Sequence, residues 1–378
     1  MSKLKARLTE LIHNTEQTFD SLKSVLEEKL HLNGRPTVHP YFGYGTADTL
    51  YLRGRVLASQ PFTSAETEDT IFENLLNTYR HINSDEIGGA TIEAICDEHT
   101  IEVTSDEEGY FFVTLPAPAT DETIIDITLT LKSPLAENGA TMTTTGKVFR
   151  PSANAQFGVI SDIDDTVMYS SATNYLRAAQ LMFLRNFRTR TPFPGVATLY
   201  QALNCAQDST NPMFYISSSP WNLFDLLTDF FELQGVPWGP LFLKDYGITE
   251  DTLLSSGHGK HKMTQFDTIL ATYPDMQFVI LGDNGQKDPE IYSQVIAKYP
   301  GRIKAAYIRV VSKEERYEES EEIARNITDM TGVPMILAGN SLDVANHAQQ
   351  LGLLDNAAVA EITQAMLDEE ADTPLESL

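Results

Sequence analysis

The period of the hydrophobic pattern changes near residue 150, and this change constrains the fold more than any other feature. Between residues 41 and 150, apolar and polar residues alternate in short runs that turn residues separate. In residues 125–132, for example, every second residue is isoleucine or leucine. Such alternation is typical of strands with one buried face, so residues 36–150 are predicted to form an antiparallel β-sandwich. The predicted strands are 51–57, 90–96, 101–104, 110–115, 125–131 and 143–149.

From residue 151 onwards, short apolar runs without alternation are separated by segments of helical period. Runs of this kind indicate parallel strands that helices cover on both faces. Residues 151–350 are therefore predicted to form a doubly wound α/β domain, with its functional site at the carboxyl ends of the strands. The predicted strands are 158–161, 213–217, 278–281 and 305–310, and the predicted helices are 174–187, 223–233, 263–273, 289–299 and 342–366.

The two ends of the chain differ from these units. Residues 1–35 carry leucines at three- and four-residue steps, which predicts an amphipathic helix. Its polar face mixes both charge signs, which favours docking on the body or on a partner over a coiled-coil or membrane-surface role. Residues 351–378 are predicted to contain the end of the last helix and an acidic tail.

Composition excludes some functions. The 53 acidic and 27 basic residues give a formal charge of −26, which argues against a nucleic-acid partner because phosphate backbones require basic surface. No apolar run suggests a secretory signal or a membrane span, so a cytoplasmic protein is expected. The two cysteines, Cys96 and Cys205, lack a zinc-binding spacing and are predicted to be buried, reduced thiols.

The first strand of the predicted α/β domain is followed by three closely spaced aspartates, Asp162, Asp164 and Asp165. Crowded carboxylates repel one another unless a proton or a divalent cation lies among them. Oxygen ligands of this kind favour Mg²⁺. A solvated loop is the alternative interpretation, and we weigh it below the metal site.

Three later segments carry polar residues near the end of a predicted strand or the start of a predicted helix. Ser217 opens a run of three serines at a helix start, where hydroxyls and N–H groups can hold a phosphate. Lys262 precedes a predicted helix and could offset negative charge. Asp283 and Asp288 follow another strand in a glycine-containing turn. Each segment alone could be an ordinary cap, surface lysine or turn.

Together and in this order, the segments resemble the four motifs of the haloacid dehalogenase superfamily. That resemblance implies that Asp162 is a nucleophile, Asp164 a general acid/base, Ser217 a phosphate ligand and Lys262 the active-site lysine. Lys260 is only two residues away and leaves that last assignment open. The implied Mg²⁺ site comprises Asp162, Asp164, Asp283 and Asp288, of which Asp288 is a ligand or a support. Thr166 and Ser218 are further candidate substrate contacts, and Asp165 receives no role.

A narrower resemblance covers roughly residues 150–350. The sequences Asp-Ile-Asp-Asp-Thr from Asp162, Tyr-Ile-Ser-Ser-Ser-Pro-Trp from Tyr215 and Leu-Gly-Asp-Asn-Gly-Gln-Lys-Asp from Leu281 are similar to the catalytic domain of actin-patch-type phosphatidate phosphatases. This resemblance implies Mg²⁺-dependent removal of phosphate from phosphatidate. A phosphatase for a soluble phosphometabolite or a phosphoprotein is the alternative, because the motifs serve only the phosphoryl group. Residues 104–115 resemble a hairpin of transthyretin-like sandwiches.

Two segments bear on substrate and partners. Between the first two motifs, four arginines lie among leucine and phenylalanine, which suggests a cap that holds an anionic headgroup and contacts a membrane peripherally. An ordinary amphipathic cap helix explains the same pattern equally well. Residues 1–150 show no catalytic constellation and are a candidate module for binding a protein partner. The four arginines are Arg177, Arg185, Arg188 and Arg190.

Overall fold

The structure is a computed structural model, and it describes residues 35–59, 86–135, 139, 141–163, 166–167, 193–206, 209–244, 258–311 and 314–371. The predicted N-terminal helix, the predicted helix 174–187 and the acidic tail from residue 372 lie outside these ranges. Within the described residues, no helix is long and apolar enough to cross a membrane.

The first unit, here called the β-domain, consists of eight hydrogen-bonded strands. The pairing is antiparallel except between β2 and β8, which run parallel. The strands are β1 Arg35–Pro40, β2 Gly43–Gly45, β3 Thr49–Ser59, β4 Thr91–Cys96, β5 His99–Thr104, β6 Tyr110–Pro116, β7 Ile124–Ser133 and β8 Met142–Phe149.

Alternation along the strands determines which side chains enter the core of the β-domain. In β7, Ile125, Ile127, Leu129 and Leu131 are buried, whereas the residues between them face outwards. The predicted strands of this unit are all present within a few residues of their expected bounds. The transthyretin-like sandwich stays a prediction.

The second unit is built on a sheet of six strands in the order β11-β10-β9-β12-β13-β14, and each neighbouring pair is parallel. The chain adds β10 and β11 on one side of β9 and then β12, β13 and β14 on the other. The strand order therefore reverses at β9. The chain crosses from β9 to one side of the sheet and later to the other, which leaves a crevice at the carboxyl end of β9. The strands are β9 Gly158–Asp162, β10 Met213–Pro220, β11 Leu241–Lys244, β12 Phe278–Asp283, β13 Ile303–Arg309 and β14 Met335–Ala338.

Helices cover both faces of this sheet. Val159 and Ile160, adjacent in β9, belong to two different hydrophobic clusters. The cluster on one face includes α1, α2, α6 and α7, and that on the other includes α3, α4 and α5. The helices are α1 Val196–Asn204, α2 Phe224–Gln234, α3 His258–Thr272, α4 Asp288–Lys298, α5 Glu314–Thr331, α6 Ser341–Gln350 and α7 Asn356–Ala371, with a 3₁₀ turn at Trp221–Leu223.

Two predictions are wrong. The single helix predicted for residues 342–366 is two helices, because Gly352 adopts a left-handed conformation (φ 71°) that ends α6 and allows Leu353 and Leu354 to enter the core. Cys205 is exposed, since it follows the last turn of α1, whereas Cys96 is buried as expected.

Candidate active site

Three strands deliver polar residues to one edge of the parallel sheet. In β9, Asp162 pairs with Ile216 of β10, and Ser161 pairs with Leu281 of β12. The residues that follow these positions therefore emerge side by side at the carboxyl end. This is the arrangement that the sequence analysis predicted for a doubly wound domain.

Three carboxylates meet at this edge. Asp162, Asp283 and Asp288 are each at most 1% exposed, and each offers one oxygen within 4.8 Å of the others. Asp162 ends β9, Asp283 ends β12 and Asp288 begins α4. Carboxylates this close and this buried repel one another strongly unless positive charge lies among them.

Backbone geometry after β12 brings two of these carboxylates together. The N–H of Asp283 donates to Asp288 Oδ2 (3.2 Å), and Asp283 Oδ1 accepts from the N–H groups of Gly285 (2.6 Å) and Gln286 (3.0 Å). A Cβ at position 282 would lie 2.4 Å from Asp288 Oδ2, so only glycine lets that carboxylate approach the strand.

Lys262 supplies positive charge to the cluster. Its Nζ lies 2.9 Å from Asp162 Oδ1 and 2.6 Å from Asp288 Oδ1, and the residue is 2% exposed. Burial lowers the pKa of Lys262, but the charges of Asp162 and Asp288 outweigh burial and raise that pKa above its usual value. The lysine is therefore an ammonium ion at neutral pH.

The position of Lys262 corrects one expectation. Helix α3 begins at His258, so Lys262 lies within the helix rather than before it. It shares the buried face with Phe266 and Ile269, whereas Lys260 is exposed. Lys262 precedes Phe266 by four residues and Ile269 by seven, which places the three on one helix face, and this spacing is the signal that could have separated the two lysines in the sequence.

Hydroxyl groups line the end of β10, where the serine run lies within the strand rather than at a helix start as predicted, because α2 begins only at Phe224. Ser217 is buried and its Oγ accepts from the N–H of Ser219 (2.9 Å), while Ser218 is half-buried. Thr166, after β9, is also buried, and its Oγ1 has no hydrogen-bond partner among the residues that the structure describes. These groups are placed to donate to an anion at the edge of the sheet.

The donor set fits a divalent cation. Three carboxylates face one ammonium, so the four groups carry excess negative charge in a buried place. The ligands are hard oxygen atoms, which Mg²⁺ prefers over the softer metals. Asp162 and Asp283 are the residues that would hold the ion, because both oxygens of Asp288 already accept hydrogen bonds.

A comparison with protein families matches this region. Residues 157–310 match the family described as phosphatidate phosphatase APP1, catalytic domain. The matched range runs from the start of β9 to the end of β13 and so contains the carboxylate cluster, Lys262 and the serine run.

Two curated relatives agree with the family match. Phosphatidate phosphatase APP1 of Saccharomyces cerevisiae is 30% identical over 184 residues, which is 47% of this chain and 31% of the yeast protein. An uncharacterized protein of Schizosaccharomyces pombe is 27% identical over 155 residues, 40% of this chain and 25% of its own length. The aligned part therefore spans less than a third of either relative. A carbohydrate acetylesterase structure from Xanthomonas citri covers 78% of this chain and 75% of its own, at 10% identity and a TM-score of 0.25.

Some predicted site residues lie outside the described residues. These are Asp164, the expected acid/base, and the arginines of the segment between the first two motifs, Arg177, Arg185, Arg188 and Arg190. Asp165, which received no role, also lies outside them. The structure brings together the other predicted groups: Asp162, Asp283, Asp288 and Lys262 in one buried cluster, with Ser217, Ser218 and Thr166 at the same edge of the sheet.

Arg316 was missed by the sequence analysis, although it contacts the loop between Asp283 and Asp288. Its guanidinium donates to the carbonyl oxygens of Asn284 (3.1 Å) and Gln286 (2.5 Å) and pairs with both oxygens of Glu290 (2.9 and 2.8 Å). The residue lies in a run of mixed charges on α5, where nothing in the local pattern distinguishes it.

Arg309 was also missed. It ends β13 opposite Asp283, is buried, stacks over Phe193 at 4.1 Å and donates to Ser341 Oγ (3.2 Å). It thereby ties the strand end to the point where the segment between the first two motifs returns to the sheet. An arginine at the end of an apolar strand is the signal that could have indicated this role.

Proposed function

We propose that this chain is a Mg²⁺-dependent phosphomonoesterase that converts phosphatidate to diacylglycerol and phosphate. The observation that carries the proposal is the buried cluster of Asp162, Asp283, Asp288 and Lys262 inside the region matched by the APP1 catalytic-domain family. The yeast relative is named a phosphatidate phosphatase, and this supports a phospholipid phosphate as the substrate.

In the proposed reaction, an oxygen of Asp162 attacks phosphorus and the bond from phosphorus to the alcohol oxygen breaks. The product is an aspartyl-phosphate, and covalent catalysis of this kind splits one difficult displacement into two easier ones. Asp164 is assigned from the resemblance to give a proton to the leaving alcohol and then to take one from the water that hydrolyses the intermediate. Phosphate leaves and the carboxylate of Asp162 is restored.

Lys262 has two tasks in this scheme. Its ammonium group orients Asp162 through the 2.9 Å contact and offsets charge on the phosphoryl oxygens. Ser217 and Thr166 would donate hydrogen bonds to those oxygens, because both hydroxyls are buried at the same edge. When bound, Mg²⁺ would neutralise the phosphoryl oxygens as a Lewis acid.

Asp288 supports the proposed site rather than binding the ion. One of its oxygens accepts from Lys262 and the other accepts from the N–H of Asp283. It therefore holds the lysine and the end of β12 in fixed relation. This arrangement resembles the outer groups that orient metal ligands in other enzymes.

Phosphate release tests the proposal directly. Wild-type protein is supplied with phosphatidate vesicles or with soluble phosphate monoesters, with Mg²⁺ or with a chelator. We expect release from phosphatidate that the chelator abolishes. Asp162→Asn should reduce turnover by more than about 10³-fold, since the nucleophile is lost while the shape of the side chain is kept. Activity on soluble esters alone would contradict the proposal of a lipid substrate. Retained activity in Asp162→Asn would contradict the assignment of Asp162 as the nucleophile.

A further inference from the structure

The β-domain contacts the segment that directly follows the serine run. The ring of Tyr41 stacks on Trp221 with centroids 4.6 Å apart, and it also lies 4.8 Å from the ring of Phe224. His39 Nε2 lies 3.1 Å from Asp225 Oδ1. Within five residues of chain, the start of α2 is therefore held by side chains from the first part of the β-domain.

Arg55 joins the β-domain to the same segment through a buried guanidinium. Its guanidinium is buried and donates in three directions: to the carbonyl of Glu108 (2.8 Å), to Glu86 Oε1 (2.8 Å) and to Asn222 Oδ1 (2.9 Å). A buried guanidinium needs its hydrogen bonds satisfied, so the position of Asn222 is closely constrained by a residue 167 positions away.

The serine run lies where the pairing between β10 and β11 is irregular. Ile216 pairs with Asp162 on one side and Phe242 on the other, but the register between β10 and β11 is interrupted until Pro220 pairs with Lys244. Residues 217–219 thus lie in an irregular stretch of β10, between the paired residues Ile216 and Pro220. The chain runs from Pro220 directly into Trp221 and Asn222, which contact the β-domain.

From these contacts we infer that the β-domain positions the phosphate-binding serines, with Arg55 as the positioning residue acting through Asn222. This inference rests on the proposed function, because it assigns the serine run to phosphate binding. It differs from the expectation that residues 1–150 serve a separate partner, since the β-domain is here an integral part of the site. Removing Arg55 should loosen residues 217–219 and weaken phosphate binding.

The test measures binding of inorganic phosphate, in the presence of Mg²⁺, to the full chain by calorimetry, together with KM and kcat on phosphatidate. Variants are Arg55→Ala, Asn222→Ala and the double variant. Each single variant should weaken phosphate binding and raise KM roughly tenfold, as expected for a lost hydrogen bond to a charged group. The double variant should bind phosphate no more weakly than the weaker-binding of the two single variants, because the two residues act through one contact.

Arg302→Ala is the matched control. Arg302 also donates to backbone carbonyls, those of Met276 (3.0 Å) and Leu270 (3.2 Å), but it lies at the opposite end of the sheet from the carboxylate cluster. We expect it to lower the melting temperature while folded protein binds phosphate as wild type does. If Arg55→Ala does not fold, the test uses Asn222→Ala, because Asn222 is only partially buried.

The possible failures can be told apart. Wild-type protein that neither binds phosphate nor hydrolyses phosphatidate would remove the proposed function and this inference with it. If the wild-type protein binds phosphate and Arg55→Ala and Asn222→Ala bind it with unchanged affinity, only the positioning role would be overturned. A lowered melting temperature with unchanged KM would also overturn that role, because it would show that Arg55 contributes only to stability.

Discussion

Buried charges at the carboxyl edge of the parallel sheet differ in their balance from those at the contact with the β-domain. At the edge, the carboxylates of Asp162, Asp283 and Asp288 meet the ammonium of Lys262. At the contact, the guanidinium of Arg55 meets one carboxylate, from Glu86, and neutral oxygen acceptors. The first set carries excess negative charge, whereas the second is close to neutral.

The two places therefore differ in whether protein groups balance the buried charges. The set around Arg55 is satisfied by protein groups, so its effect is structural and constant. The carboxylate cluster carries more negative than positive charge among its four groups, and we propose that a metal ion balances it. Substitutions at the two places sharpen or break this comparison.

The largest effect is expected from Lys262→Met. Removing the ammonium leaves three buried carboxylates without it, and breaking a buried ion pair costs about 3–5 kcal/mol. In metal-free protein, the free energy of unfolding should fall by this amount, and turnover should be abolished. Chemical denaturation and phosphate release measure the two effects.

Lys260→Met is the control for this substitution. Lys260 lies two residues earlier on the same helix and is exposed, so its loss should change stability by less than about 0.5 kcal/mol. Equal effects at the two positions would mean that the ion pairs of Lys262 contribute nothing. Loss of turnover in Lys260→Met alone would transfer the active-site role to that lysine.

The second prediction concerns Asp283→Asn. Asparagine keeps the oxygen that accepts from Gly285 and Gln286 but removes one negative charge from the cluster. Metal-free protein should become more stable by about 1 kcal/mol because repulsion is relieved. Wild-type protein at 100 times the Kd for Mg²⁺ should gain about 2.7 kcal/mol, and the variant should lose this gain. Thermal unfolding with and without Mg²⁺ measures both.

Glu86→Gln provides the contrast at the other site. It removes the carboxylate that pairs with Arg55, but this side chain is half exposed, so the cost should stay under about 1 kcal/mol. Its response to Mg²⁺ should equal that of wild-type protein. If Asp283→Asn destabilised the metal-free protein as Glu86→Gln does, the two sites would not differ in the way we describe.

The elements of the fold were predictable where one local pattern determines them. Ile125, Ile127 and Leu129 alternate with polar residues because β7 has one buried face, and the apolar run that precedes Asp162 marks a strand buried on both faces. Short elements were not predictable. Strand β14 at Met335–Ala338 has only four residues, two of them half-buried, and its pairing with β13 is a property of the assembled sheet.

The residues at the carboxyl edge of the sheet were predictable from the sequence, but the contacts that the β-domain makes near them were not. Asp162, Ser217 and Asp283 each follow an apolar strand, so parallel packing alone brings them together. The contact of Arg55 with Asn222 joins residues 167 positions apart, and no periodicity connects the two. Such contacts arise from the docking of one unit on another, which the sequence of either unit does not reveal.

The smallest predicted effect is a pH dependence at the contact with the β-domain. Burial lowers the pKa of His39, but the charge and hydrogen bond of Asp225 outweigh burial and raise it above its ordinary value. A histidine with a raised pKa in the folded state stabilises the protein fully below its unfolded pKa of 6.5, and this stabilisation is lost as pH rises through the folded pKa.

His39→Gln should therefore cost more at about pH 5.5 than at about pH 8.5, by about 0.5 kcal/mol, because the pair is partly exposed. The measurement is the free energy of unfolding of both proteins at the two pH values. Burial, together with the charges of Asp225 and Glu232, raises the pKa of Asp229 to about 6, so this group titrates in the same range. It is present in both proteins and largely cancels in the difference. A cost that is independent of pH would show that His39 contributes through packing against Tyr41 and Phe224 rather than through charge.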